Sequence, residues 1–116
     1  MGEHMFVSSH GSPYARFKRA LRTGNLALVR AAAGELPTVR LDDALLIACL
    51  IEEHDAEQFE RAAVRWLGRF ALERPSVRIE DLREAAVAFA ALGENPAGAR
   101  RALEALCARH GLRVSL

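Results

Sequence analysis

Residues 55–75 read DAEQFERAAVRWLGRFALERP, and their periodicity decides the fold class. Phe59, Ala62, Ala63, Trp66, Leu67, Phe70 and Ala71 fall at i, i+3, i+4, i+7, i+8, i+11 and i+12, which lines one face of an α-helix. The opposite face carries Glu57, Arg61, Arg65, Arg69 and Glu73, each four residues from the next. The end pairs attract and the middle arginines repel, so this row is a solvated face of modest stability. Asp55 with Gln58 resembles a capping box at the start, and Pro75 stops the helix. Trp66 lies inside the apolar stripe and is expected in the core before it is expected at an interface.

Helical punctuation continues on both sides. Ser12-Pro13 reads as N-cap and first helical position of a helix through Leu21, closed by Thr23-Gly24. Asn25 caps a short helix, Leu26–Ala33, ended by Gly34 and Pro37. A third helix starts at Leu41 or Asp42, with Asp42 and Asp43 at the positive end of its dipole. Its body, Ala44–Ile51, is apolar all round and is expected to be the most enclosed helix. A fifth runs from about Glu80 to Leu92, closed by Gly93. Asn95-Pro96 opens a sixth, with Ala99, Ala102, Leu103, Leu106 and Cys107 inward and His110 a further candidate for that face, and Gly111 ends it. No segment alternates like a strand, with the tail Leu112–Leu116 the nearest to an exception.

The expected fold is therefore all-α: a compact bundle of five to six helices arranged as helical hairpins. Residues 1–12 are expected to be a flexible head, 13–112 a single helical domain and 113–116 a tail. The His4-Met5 junction leaves Met5 open as an alternative native start. An internal echo supports the layout: Pro37-Thr38-Val39-Arg40-Leu41-Asp42-Asp43 recurs as Pro75-Ser76-Val77-Arg78-Ile79-Glu80-Asp81. In each copy a proline stops one helix, a short stretch crosses over, and two acids open the next. This organisation, two helix–link–helix units and a closing helix, superficially resembles tetratricopeptide-type hairpin repeats.

At 116 residues and 51% hydrophobic content the chain needs neither disulfide nor metal as a staple. Cys49 and Cys107 lie among apolar residues with no CxxC, so buried free thiols in a reducing cytoplasm are expected. The longest apolar runs, Ala44–Ile51 and Ala85–Leu92, have eight residues each, far short of a membrane span. Arginine supplies all the basic residues except Lys18; with so much alanine, this suggests GC-rich coding and a bacterial source. Net charge is +1, but basic ends flank an acidic middle. The ends can dock on that middle or form a basic surface for an anionic partner.

No catalytic, cofactor or metal site is legible. The serines fall in the head, a link and the tail, outside any nucleophile elbow. His54 follows Glu52-Glu53 as a helix-end residue, and His4 and His10 lie in the head. Cys107 and His110 are i, i+3 on one helix but lack an orienting third group. Asp42-Asp43 and Glu80-Asp81 fit helix starts, and no calcium-loop or phosphate-loop pattern appears.

One stretch has a family likeness. Ala91-Leu92-Gly93-Glu94-Asn95-Pro96-Ala97-Gly98-Ala99-Arg100-Arg101-Ala102-Leu103 resembles the helix-turn-helix of winged-helix transcription regulators, and Ala105–Leu112 is similar to the end of a recognition helix. The likeness implies DNA binding by the Glu80–His110 hairpin, with Arg100 and Arg101 facing DNA. The helix before the turn is about one turn longer than in that motif, and no residues remain for a two-stranded wing. The first helix adds Arg16, Lys18, Arg19 and Arg22 beside Tyr14 and Phe17 as candidate phosphate contacts. The leading expectation is a non-enzymatic module for protein partners or self-association, with DNA binding as the alternative and no small-molecule substrate or membrane evident.

Overall fold

The computed structural model describes residues 11–116, so the readings of Met5, His4, His10 and most of the head lie outside the described residues. Six α-helices and no strand occur among them: α1 (Pro13–Thr23), α2 (Leu26–Ala33), α3 (Leu41–His54), α4 (Ala56–Glu73), α5 (Ile79–Ala91) and α6 (Pro96–Arg109). They group into two units, one ending at Val39 and the other Arg40–Leu116.

In the first unit, α1 and α2 form a hairpin. The Ser12 hydroxyl accepts the Ala15 amide at 3.0 Å, and Asn25 Oδ1 accepts the Leu28 amide at 3.1 Å. Between the helices Gly24 adopts φ +70°, the left-handed conformation that a Cβ disfavours. Phe17, Ala20, Leu26 and Val29 are the buried residues of this pair. Arg16 reaches Glu35 at 2.6 Å, tying the start of α1 to the segment after α2.

In the second unit the closer pairs are α3–α4 and α5–α6, with a lighter contact between α4 and α5. Each close pair turns tightly, so the link at Pro75–Arg78 joins one hairpin to the next. Asp55 alone connects α3 to α4: its amide closes α3 on the Ile51 carbonyl at 2.8 Å, and it is also the N-cap of α4. That double duty sets ψ to 63°, outside the extended range usual for a capping side chain, and the expected capping box does not form. Such a contact forms instead at α5, where Asp81 Oδ2 accepts the Arg78 amide at 2.8 Å.

The core of this unit is an aromatic stack within aliphatic walls. Trp66 stacks on Phe70 with centroids 4.7 Å apart and meets Phe89 edge-on at 5.8 Å; Phe89 meets Phe59 at 5.9 Å. The buried indole donates to the Leu41 carbonyl at 2.9 Å, which removes the cost of enclosing an N–H. Leu45, Leu92, Leu103 and Leu106 close the core around these rings. Within α3, Leu46, Ile47 and Leu50 are only half-buried, so the all-apolar helix is less enclosed than its composition suggests. Asp43, placed by sequence as a dipole-facing acid, is 1% exposed and partnered.

At the end of α6, Gly111 at φ +80° lets the Leu112 amide reach the Cys107 carbonyl at 2.9 Å and the Gly111 amide reach Ala108 at 3.2 Å, a Schellman closure. Leu112 is buried, and the Leu116 amide donates to Glu104 at 2.6 Å, so the tail lies back on α6 without forming a strand.

Candidate functional site

The basic residues singled out by sequence lie in both units. On α1, Arg16 is held by Glu35, the Lys18 ammonium stands 5.8 Å from the Tyr14 ring centroid, and Arg19 and Arg22 are exposed. On α6, Arg100 turns back to Glu53 of α3 at 2.5 Å, and its Nε is buried. Arg101 is exposed. Arg109, in the last turn, reaches Glu84 at 2.8 Å and Asp81 at 3.7 Å. The α5–α6 hairpin therefore holds one of its two candidate arginines in an internal ion pair and presents the other.

Both thiols are free and buried, and burial pushes each up to about 11. At Cys49 the Arg100 guanidinium partly offsets that rise, and Glu53 and Glu52 add to it. Such thiols are neutral at physiological pH and poor nucleophiles. Cys107 is enclosed, whereas the ring of His110 turns to a different pair of groups.

That pair is Ser76 and Asp81. Ser76 Oγ lies 2.7 Å from His110 Nδ1, and His110 Nε2 lies 3.2 Å from Asp81 Oδ2. With the ring neutral and its proton on Nε2, the imidazole donates to Asp81 and accepts the Ser76 hydroxyl. The connectivity is that of a nucleophile–base–carboxylate relay. Its setting is that of a staple: the Phe70 ring meets His110 edge-on at 5.4 Å, and the relay joins the α4–α5 link, the start of α5 and the end of α6. None of the three surface grooves described below is lined by Ser76 or His110. Sequence carried no signal for it, because His110 is about thirty residues from Ser76 and Asp81 and meets them only through the α5–α6 pairing.

A groove of about 470 Å³ runs between α4 and α5. Phe59, Ala63, Val64 and Leu67 supply one wall, and Ala86, Phe89, Ala90 and Gly93 the other. Its origin is compositional: α5 offers small side chains opposite Phe59 and Leu67, so those residues stay half-buried and Val64 remains 60% exposed. Within the apolar stripe of α4, Trp66 is core as its place in the stripe suggests, whereas Phe59 and Leu67 at its edge are half-buried along open surface. Glu52 and Glu60 complete the lining, which contains no basic residue. The Glu52 carboxylate lies over Gly93, where a Cβ would stand 3.0 Å from Oε2.

The other two grooves differ in charge. One, of about 520 Å³ between α5 and α6, has Arg83 beside Glu80 and Glu84. Arg83 pairs with Glu80 at 3.2 Å, and Glu84 is taken by Arg109. The third, about 720 Å³ along α6 and the tail, mixes Arg101 and Arg113 with Glu104. Among the described residues no group of three or more His, Cys, Asp or Glu could hold a metal ion, and no helix is long and apolar enough to cross a membrane.

No protein-family model, curated protein or solved structure matches this chain.

Proposed function

We propose that this protein is a non-enzymatic interaction module whose docking surface is the α4–α5 groove. The observation that carries the reading is the apolar surface left uncovered there: half-buried Phe59 and Leu67, exposed Val64, and a low alanine wall opposite. Aromatic and aliphatic anchors in a concave site are where binding energy concentrates at interfaces. The walls are regular helices held by the Trp66 stack, so a partner would meet a preformed surface and pay little ordering entropy. The two free, buried thiols suit the reducing cytoplasm to which the reading assigns the protein.

The test is an NMR titration of isotope-labelled protein with short amphipathic helical peptides that share one leucine stripe and differ in charge. Saturable shifts at the Val64, Leu67, Ala86 and Ala90 methyls, lost in Ala90→Arg, are the expected result. Absence of shifts at those methyls with every peptide would overturn the reading.

A further inference from the structure

We infer that the occupant of the α4–α5 groove is an amphipathic helix with arginine or lysine at one end of its apolar stripe, a partner class that rests on the docking reading above.

Charge is the first argument. Of the three grooves, this one alone has two acids and no base in its lining. Several carboxylates elsewhere on the second unit are matched internally, among them Glu53 by Arg100, Glu73 by Arg69 and Glu84 by Arg109. Glu52 and Glu60 have no cation within ion-pair distance among the described residues. Carboxylates bordering apolar surface draw a cationic partner and repel an acidic one.

Position is the second. Phe59 meets Phe89 across the groove, Glu60 is next to Phe59, and Glu52 lies over Gly93, one turn beyond Phe89. Both carboxylates therefore gather at one end, beside the C-terminus of α5, whose dipole adds to the negative potential there. The other end, at Leu67 and Ala86, is apolar. An occupant that satisfies both has its cations clustered, with its apolar stripe running away from them.

Length is the third. The facing wall runs from Ala86 along α5 to its end at Ala91 and on to Gly93. Phe59 to Leu67 spans about 12 Å of α4 at about 1.5 Å per residue. That is two helical turns, the span over which i, i+3 or i+4, and i+7 side chains of a bound helix seat their anchors.

The experiment titrates three synthetic helical peptides with one leucine stripe into the 116-residue chain. They carry two arginines at one end, two glutamates there, or neither. Wild type is compared with Glu52→Gln/Glu60→Gln and with Ala90→Arg, using circular dichroism melts to confirm that each variant folds. The basic peptide is expected to bind about tenfold tighter than the acidic one, with the gap closing in the glutamine variant and in high salt. The neutral peptide is expected to bind wild type and the glutamine variant equally, and Ala90→Arg to bind none. Equal binding of basic and acidic peptides would overturn the charge assignment while leaving the groove as a docking surface. Binding unaffected by Ala90→Arg would remove the groove itself. Concentration-dependent dimerisation of wild type, abolished by Ala90→Arg, would overturn the cationic helix in favour of a second copy.

Discussion

His110 Nε2 and the Arg78 amide converge on the same oxygen of Asp81, at 3.2 and 2.8 Å. One carboxylate thereby joins the start of α5 to the end of α6. The Arg78 amide is the largest influence holding the Asp81 carboxyl below its usual value of 3.8; desolvation opposes it, and His110 and Arg109 reinforce it. A folded-state value below the unfolded one stabilises the protein above the unfolded value and is lost as pH falls through the folded one. Asp81→Asn should therefore lower the urea midpoint at neutral pH, with its difference from wild type shrinking as pH drops below 3.8. A difference that stays constant through that range would show that the carboxylate charge contributes nothing.

Trp66 sets the mutual register of α3 and α4 through its bond to Leu41. Trp66→Phe keeps a ring in the stack but deletes the donor and leaves a small void. The expected cost is about 1–2 kcal/mol. Trp66→Ala should cost about 3–5 kcal/mol. Urea denaturation followed by far-ultraviolet circular dichroism measures both, and equal costs would show that the ring kept by Trp66→Phe adds nothing and that the whole loss comes from the indole and its hydrogen bond.

Much of this architecture was legible because helix ends are written in local chemistry. Ser12-Pro13, Asn25, Asn95-Pro96 and the glycines at 24 and 111 act within a few residues of themselves, and the structure uses each as the sequence suggests. Asp55 departed from expectation because one residue had to serve two helices, a constraint no single-helix pattern encodes. The groove was hidden for a related reason. Phe59 and Leu67 have core spacing, and their exposure depends on the small residues that α5 brings opposite them. The alanine-rich run Ala85–Leu92 was the available clue, since small side chains either permit close packing or leave a gap. The Ser76–His110–Asp81 relay is purely tertiary, and Arg100's ion pair with α3 is equally so.

Thiol chemistry gives an independent check on the core. With both thiols buried and raised to about 11, native protein should react negligibly with a disulfide reagent near neutral pH, whereas denatured protein should release two equivalents. Rapid labelling of the native protein would mean that the core around Cys49 or Cys107 opens readily.

Gly24 tests the first hairpin. Nothing stands within 4 Å of a Cβ built there, so Gly24→Ala meets conformational strain without a clash. The expected penalty is about 1–2 kcal/mol. It should appear as faster amide exchange in α1 and α2, and unchanged exchange there would show that the turn tolerates a side chain.

The nucleic-acid reading makes a separable prediction. Because Arg100 is engaged by Glu53 and Arg101 is exposed, Arg100→Ala should act chiefly on stability and Arg101→Ala on any DNA affinity. Fluorescence anisotropy with a random duplex at physiological salt is expected to show binding weaker than about 10⁻⁴ M. Tight, salt-sensitive binding abolished by Arg101→Ala would instead favour the helix-turn-helix.

The aromatic stack also gives the protein a built-in optical gauge. Trp66 is the sole tryptophan, it is enclosed and hydrogen-bonded, and its edge-on neighbour Phe89 is shared with the groove wall. Its emission should shift to the red as α3 and α4 separate, and a ligand that displaces Phe89 should register in the same signal. Folding and docking can thus be watched in unlabelled protein, from one indole a single ring away from the proposed partner.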